Sequence, residues 1–184
     1  MYRRIIDFID TERLVFLDES GSHIGMTRDY ARAPKGKRAH GRAKRNRGNA
    51  TTMIGAMGID GLRTLMTIEG PTTADVFEAF VEQMLIPELK RDDVVVLDNV
   101  SAHKPDRIAD KIRAAGAHVL FLPPYSPDLN PIEQCWSKLK ETLKSIGATT
   151  RRSLDDAIAQ GMSLITPHDA AAWFQHCGYG GQPT

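Results

Sequence analysis

Two four-residue apolar runs, each closed by an aspartate, constrain this chain more than any other feature: Leu14-Val15-Phe16-Leu17-Asp18 and Val94-Val95-Val96-Leu97-Asp98. Runs this short, built from strand formers without polar alternation, read as strands covered on both faces. Such strands need helices above and below, which points to a layered α/β arrangement. The first run leads into Asp18-Glu19-Ser20-Gly21, a turn signal that predicts the end of that strand, with His23 to Thr27 as a candidate hairpin partner. Thr51 to Ile59 and Leu62 to Ile68 read as strands joined at Asp60-Gly61, and His118 to Leu122 as a further strand.

Helical spacing of Val76, Phe77, Phe80, Met84 and Leu85 predicts a helix over Thr73 to Leu89, capped by Thr72 or Thr73. Further helices are expected over Pro105 to Ala115, Pro131 to Ile146, Ser153 to Leu164 and Pro167 to His176. Gly178 to Thr184 reads as a frayed tail. Meander strands followed by alternating β and α predict a mixed sheet with helices packed on it.

With 184 residues, 41% hydrophobic and 26% charged, the chain suits one domain with a sizeable core, and its composition excludes a disordered or disulfide-stapled class. The net charge of +1 conceals an uneven distribution. Between Arg28 and Arg47 stand nine basic side chains (Arg28, Arg32, Lys35, Lys37, Arg38, Arg42, Lys44, Arg45 and Arg47) and one acid, Asp29, so this block carries +8 and the remainder −7. Pro34, Gly36, Gly41 and Gly48 punctuate it, and it shows no periodicity, which predicts an exposed loop. That much charge suits phosphate contact; the alternative is a solvated loop kept charged for solubility. Cys135 and Cys177 show neither metal-type spacing nor a disulfide framework, which points to a reducing, cytoplasmic setting. No apolar run approaches the ~18 residues of a membrane helix, and Asp7 and Asp10 interrupt the N-terminal run, which argues against a secretory signal.

Asp18 and Asp98 each sit where a buried strand should open to solvent, at the carboxyl ends where ligands gather in such sheets. Aspartate is depleted in strands and rarely buried unpaired, so the pair invites a metal reading; the bland alternative is two turn-starting residues. Glu133 is the third candidate. Asn130-Pro131-Ile132-Glu133 reads as N-cap, N1, N2 and N3, so Glu133 either closes a capping box or, favoured by the helix dipole, offers an ionised oxygen to a cation such as Mg²⁺. On that helix Ile132, Trp136, Leu139, Leu143 and Ile146 form the apolar stripe. Glu133, Ser137, Lys140 and Lys144 form a neighbouring one, which either lies along a phosphate backbone or is simply a solvated face.

Taken together, the segments Phe16-Leu17-Asp18-Glu19-Ser20, Val96-Leu97-Asp98-Asn99-Val100-Ser101-Ala102-His103 and Pro124-Tyr125-Ser126-Pro127-Asp128-Leu129-Asn130-Pro131-Ile132-Glu133, with Trp136 and Leu139-Lys140 after them, resemble the DDE transposases of the mariner superfamily, in their bacterial insertion-sequence branch. The third segment is the most specific, and the 34 residues between Asp98 and Glu133 match that group's interval. The resemblance runs from about Leu14 to Lys144. It implies a ribonuclease-H-like α/β fold, a five-stranded mixed sheet flanked by helices. It also implies that Asp18, Asp98 and Glu133 are the catalytic, metal-binding triad. Glu19, Asn99 and His103 lie beside these positions and are expected to support the ligands or position substrate.

The implied chemistry is cleavage of DNA at transposon ends and transfer of the freed 3′-hydroxyl into target DNA, using two Mg²⁺ ions, with Mn²⁺ able to substitute. The basic block, with Lys140 and Lys144, is the expected DNA contact. Expected partners are transposon-end and target DNA, a second copy of the chain, and an N-terminal DNA-binding polypeptide; a bacterial, nucleoid-associated location follows. About a dozen residues precede the first strand, so residues 1–184 are expected to be a single catalytic domain, with a core over about 13–147 and C-terminal helices over 153–176, lacking the family's helix-turn-helix region. The rival readings are a ribonuclease-H-like or junction nuclease without strand transfer, and an inactive DNA-binding transposon remnant.

Overall fold

The computed structural model describes residues 2–28, 30–41, 47–98 and 105–180. Five strands form one mixed sheet: β1 (Leu14–Ser22), β2 (Thr51–Gly58), β3 (Gly61–Glu69), β4 (Val94–Leu97) and β5 (His118–Phe121), in the order β3-β2-β1-β4-β5. The meander β1-β2-β3 is antiparallel, whereas β4 and β5 run parallel to β1. Crossovers through helices supply the parallel pairs. These are α2 (Ala74–Phe80), continued by a π turn over Val81–Leu85 and a 3-10 turn over Ile86–Glu88, and α3 (Pro105–Ala114). A short α1 (Tyr2–Ile6) precedes the sheet, and α4 (Ile132–Ile146), α5 (Arg151–Ser163) and α6 (Pro167–His176) follow it.

Strand alternation sorts the core into two layers. Leu14 and Phe16 of β1, with Val94 and Val96 of β4, pack against Ile132, Trp136 and Leu139 of α4 and against α5 and α6. Val15, Leu17, Val95 and Leu97 pack on the opposite face, against Phe77, Phe80 and Val81 of the α2 segment and Ile108 and Ile112 of α3. Each strand is therefore apolar on both faces, which is the physical origin of the unbroken runs in the sequence. Each fully buried Phe, Leu or Ile adds about 1.5–3 kcal/mol of transfer free energy.

Several elements depart from the sequence expectation. β1 does not stop at Asp18: after β4 has ended, β2 goes on pairing with it from Asp18↔Gly55 to Ser22↔Thr51. That leaves no place for His23 to Thr27 as a hairpin partner, and those residues are not in a strand. The β2–β3 turn is Ile59-Asp60, and Gly61, at φ +125°, opens β3 in a conformation that favours glycine. Thr73, not Thr72, caps α2 by accepting from the Val76 amide. The helix then widens into the π turn and tightens into the 3-10 turn that contains Pro87, whose nitrogen has no N–H for the ladder, and stops after Glu88. On α4, Cys135 joins the buried stripe, whereas Ile146 in the exposed last turn stays 41% exposed.

The C-terminal segment is not frayed at its start. Tyr179 is buried against Phe16 and Phe174, and its hydroxyl meets the Leu129 carbonyl at 2.5 Å and the Tyr2 hydroxyl at 2.9 Å. An aromatic cluster thus ties both ends of the described chain to the segment that precedes α4. Among the described residues no helix is long and apolar enough to cross a membrane.

Candidate active site

The parallel pairing of β1 with β4 ends at Leu17↔Leu97, so Asp18 and Asp98 come next on neighbouring strands at the same rim. Their direction follows from alternation: Phe16 and Val96 face α4, and the residues two positions on face the same way. α4 crosses this face and carries Glu133 in its first turn. Three carboxylates from three separate stretches of sequence therefore converge.

The convergence is felt electrostatically at Asp18. Burial pushes its carboxyl up to about 7, and the charges of Glu133 and Asp98 push in the same direction. The Glu19 amide and the Trp136 indole hydrogen bond oppose the rise without cancelling it. Both oxygens of Asp18 are held: Oδ1 accepts from the Glu19 amide at 2.8 Å, and Oδ2 accepts from Trp136 Nε1 at 3.2 Å and Asn130 Nδ2 at 3.3 Å. Glu133 is exposed. Among the described residues no three His, Cys, Asp or Glu side chains already stand close enough to hold an ion, so the three acids meet at Coulomb range and not at ligating distance.

The capping-box alternative for Glu133 fails. The Asn130 amide donates to the Pro127 carbonyl, and the Asn130 side chain reaches across to Asp18 in place of capping α4. Asn130 Oδ1 is buried without a donor among the described residues. Glu19 supports Asp18 through its backbone; its side chain, one residue along the strand, belongs to the opposite face. Asn99 and His103 lie outside the described residues, as do Arg42, Lys44 and Arg45.

Arg28, Arg32, Lys35, Lys37, Arg38 and Arg47 are exposed on the loop between β1 and β2, which leaves the sheet at the end where Asp18 and Asp98 lie. Lys144 is committed to Glu141 at 3.0 Å. Lys140 is half-buried, seven residues or about 10 Å along α4 from Glu133.

Sequence reading missed what holds Asp18. Asn130 reads there as a cap and Trp136 as one member of an apolar stripe; only the fold brings both to the carboxylate. Gly55 does leave a signal, because a lone glycine inside an apolar strand marks a close approach. A Cβ at Gly55 would stand 2.7 Å from Trp136 Cη2.

Residues 13–155 match the family model described as DDE superfamily endonuclease. The transposable element Tcb1 transposase of Caenorhabditis briggsae is 30% identical over 106 residues, which are 55% of this chain and 39% of that protein. The Mos1 mariner paired-end complex with Mn superposes with a TM-score of 0.72 at 18% identity, covering 95% of this chain and 55% of that one. The Mos1 mariner transposase catalytic domain superposes with a TM-score of 0.67 at 13% identity, covering 95% and 81%. The chain thus spans less than half of its curated relative and about half of the Mos1 chain in that complex. At these identities the Mos1 likeness shows the fold, the ribonuclease-H-like five-stranded sheet with flanking helices. Because the family model spans the sheet, α4 and the first residues of α5, the chain belongs to the DDE superfamily endonucleases.

Proposed function

We propose that this chain is the catalytic domain of a transposase of the Tc1/mariner kind, which cleaves DNA at transposon ends and transfers the strand to target DNA. The observation that carries the reading is the meeting of Asp18, Asp98 and Glu133 at one rim, where burial and like charge make the Asp18 carboxylate costly to ionise. A divalent cation relieves that cost. The donor set fits Mg²⁺ or Mn²⁺, because all three side chains offer carboxylate oxygens, and the buried Asn130 Oδ1, without a donor among the described residues, leaves an unused acceptor beside them. Mos1 paired-end complexes carry Mn in one structure and Mg in another.

Asp18, Asp98 and Glu133 would hold the cations. When bound, a pair of such ions lowers the pKa of an attacking water and stabilises the leaving 3′ oxygen of a phosphodiester. The chain's own residues do the rest. The exposed cations of the β1–β2 loop bind backbone phosphates beside the rim. Attack by water and then by a 3′-hydroxyl requires no protein nucleophile. Placement in the bacterial insertion-sequence branch, with a cytoplasmic, nucleoid-associated site of action, rests on the motifs and on cysteine usage; the curated relative is from a nematode. A second copy of the chain joins the two transposon ends in this reading.

The test is Mg²⁺-dependent nicking of a labelled transposon-end duplex. Asp18→Asn, Asp98→Asn and Glu133→Gln should each fold and lose about 10³-fold or more in rate, the equivalent of several kcal/mol of charge stabilisation. Wild-type rates in any of the three remove that residue from the triad. Hydrolysis without strand-transfer products would favour a plain nuclease.

A further inference from the structure

Trp136 is 1% exposed and Asn130 4% exposed, yet both direct an N–H at one oxygen of one half-buried carboxylate. A buried indole N–H needs an acceptor, and an amide facing a carboxylate presents its nitrogen. An ionised carboxylate has about four acceptor sites, two on each oxygen. Among the described residues, Trp136 and Asn130 fill both sites on Asp18 Oδ2 and the Glu19 amide fills one on Oδ1. These described residues leave one site, on Oδ1.

The indole keeps its place because β2 makes room for it. Gly55 stands directly across from Asp18 in the β1–β2 ladder, so both point to the α4 face. The Trp136 ring occupies the space where a side chain at Gly55 would begin: an added Cβ would stand 2.7 Å from Cη2, 3.4 Å from Cζ2 and 3.3 Å from the Thr64 carbonyl oxygen. The ring is buried in the core with Leu139 and Met53. Trp136 also lies three residues after Glu133, one turn along α4. One helix thus carries one acid and the N–H that orients another.

We propose that Trp136, seated on Gly55 and flanked by Asn130, is the positioning unit of the metal site: it holds Asp18 Oδ2 within the protein, presents Oδ1 to the cation, and sets α4 with Glu133 at a fixed distance from β1. The inference rests on the metal-binding reading of Asp18, Asp98 and Glu133. None of the three positioning residues touches substrate; they act through Asp18.

The test is Mn²⁺ affinity measured by calorimetry on the isolated chain, without DNA, alongside thermal unfolding of the metal-free protein. Trp136→Phe keeps an aromatic ring in the core, though a smaller one, and removes the N–H; Asn130→Ala removes the second donor; Gly55→Ala keeps both donors and crowds the indole from its seat. Each should weaken Mn²⁺ binding about 10-fold or more, as loss of a partner to a metal ligand does. Trp173→Phe on α6 is the control and should bind as the wild type does. In that background Trp136 is the one remaining indole, and Mn²⁺, a paramagnetic quencher, should quench its emission far more than Mg²⁺ does. A residue that only fills the core would lower the melting temperature and leave the Mn²⁺ affinity unchanged.

If Asp18→Asn abolishes Mn²⁺ binding while Trp136→Phe and Asn130→Ala both bind like the wild type, the positioning role is overturned and the metal site stands. If the wild type binds no Mn²⁺, or Asp18→Asn binds as well as the wild type, the metal reading falls and the inference with it. Should Trp136→Phe fail to unfold cooperatively, Asn130→Ala decides, since it leaves the core ring in place.

Discussion

At the scale of single residues, the site carries a stability cost that its chemistry explains. Asp18 is surrounded by apolar core on one side and by two like charges on the other, and its ordinary ionisation is opposed first by burial and then by Glu133 and Asp98. Removing the charge should therefore stabilise the metal-free protein while destroying the site. Asp18→Asn should raise the melting temperature at neutral pH, by about 2–4 °C for each kcal/mol relieved in a domain of this size. Differential scanning calorimetry with and without Mn²⁺ checks it: the wild type should gain stability from the ion and the variant should not. A fall in the metal-free melting temperature would mean that Asp18 is a structural anchor for Trp136 and Asn130 first. Those two residues were only half legible in the sequence. Trp136 reads as apolar there because its spacing on α4 is that of a core residue, which it also is; its N–H found a use only when β1 passed beneath it.

At the scale of elements, α6 illustrates how local capping becomes tertiary. Thr166 and Asp169 form a reciprocal cap: the Thr166 amide and hydroxyl donate to Asp169 Oδ2 at 2.9 and 2.7 Å, and the Asp169 amide donates to Thr166 Oγ1 at 3.2 Å. The same Oδ2 accepts from Lys138 Nζ of α4 at 2.6 Å, which ties α6 to the helix that carries Glu133. Lys138 first, and then the Thr166 donors, hold the Asp169 carboxyl well below the usual carboxylate range. A carboxyl whose folded value is depressed adds stability above its unfolded value, about 4, and that stability is lost as the pH falls below it. Asp169→Asn should therefore lower the melting temperature at pH 7, and its difference from the wild type should shrink as the pH falls from about 5 to 2. A difference that holds constant across that range would assign the effect to cap geometry and not to charge. The start and end of α6 were legible because Thr166-Pro167 and the two turns after it obey local rules. The link to Lys138 was not, because 31 residues separate the partners.

At the scale of the whole molecule, charge and topology meet. The β1–β2 loop takes its +8 block from the sheet end where Asp18 and Asp98 lie, and every described basic residue in it is exposed. If about half of the nine cations bind phosphate, the slope of log K against log salt is about −4. Neutralising Arg42, Lys44, Arg45 and Arg47 together should flatten that slope by about 0.9 for each phosphate left without its cation, measured by fluorescence anisotropy on duplex DNA over a range of salt. A slope unchanged by the four substitutions would leave the block without a role in binding. The place of the loop in the fold was half legible: its exposure follows from charge, glycine and proline, but its position beside the carboxylates follows from β1 running toward them.

What the sequence determined by itself is what depends on near neighbours and on side-chain chemistry. It determined the two strands covered on both faces, the existence of the helices that follow them and the exposed basic loop, and it singled out the three acids as candidates. Hydrophobic period and capping act over a few residues, so they are written locally. The tertiary structure decided everything that needs two distant segments at once. It extended β1 past Asp18, because β2 offered hydrogen bonds that the turn signal at Glu19-Ser20-Gly21 could not outweigh. It turned Asn130 from its helix toward a carboxylate, because a buried charge demands donors more strongly than a helix end open to other partners does. It docked Tyr179 on Phe16 and Phe174, because the apolar area at the sheet's α4 face was large enough to hold a segment that reads as a tail. Long-range burial sets those choices, and no window of sequence contains both of the surfaces that meet.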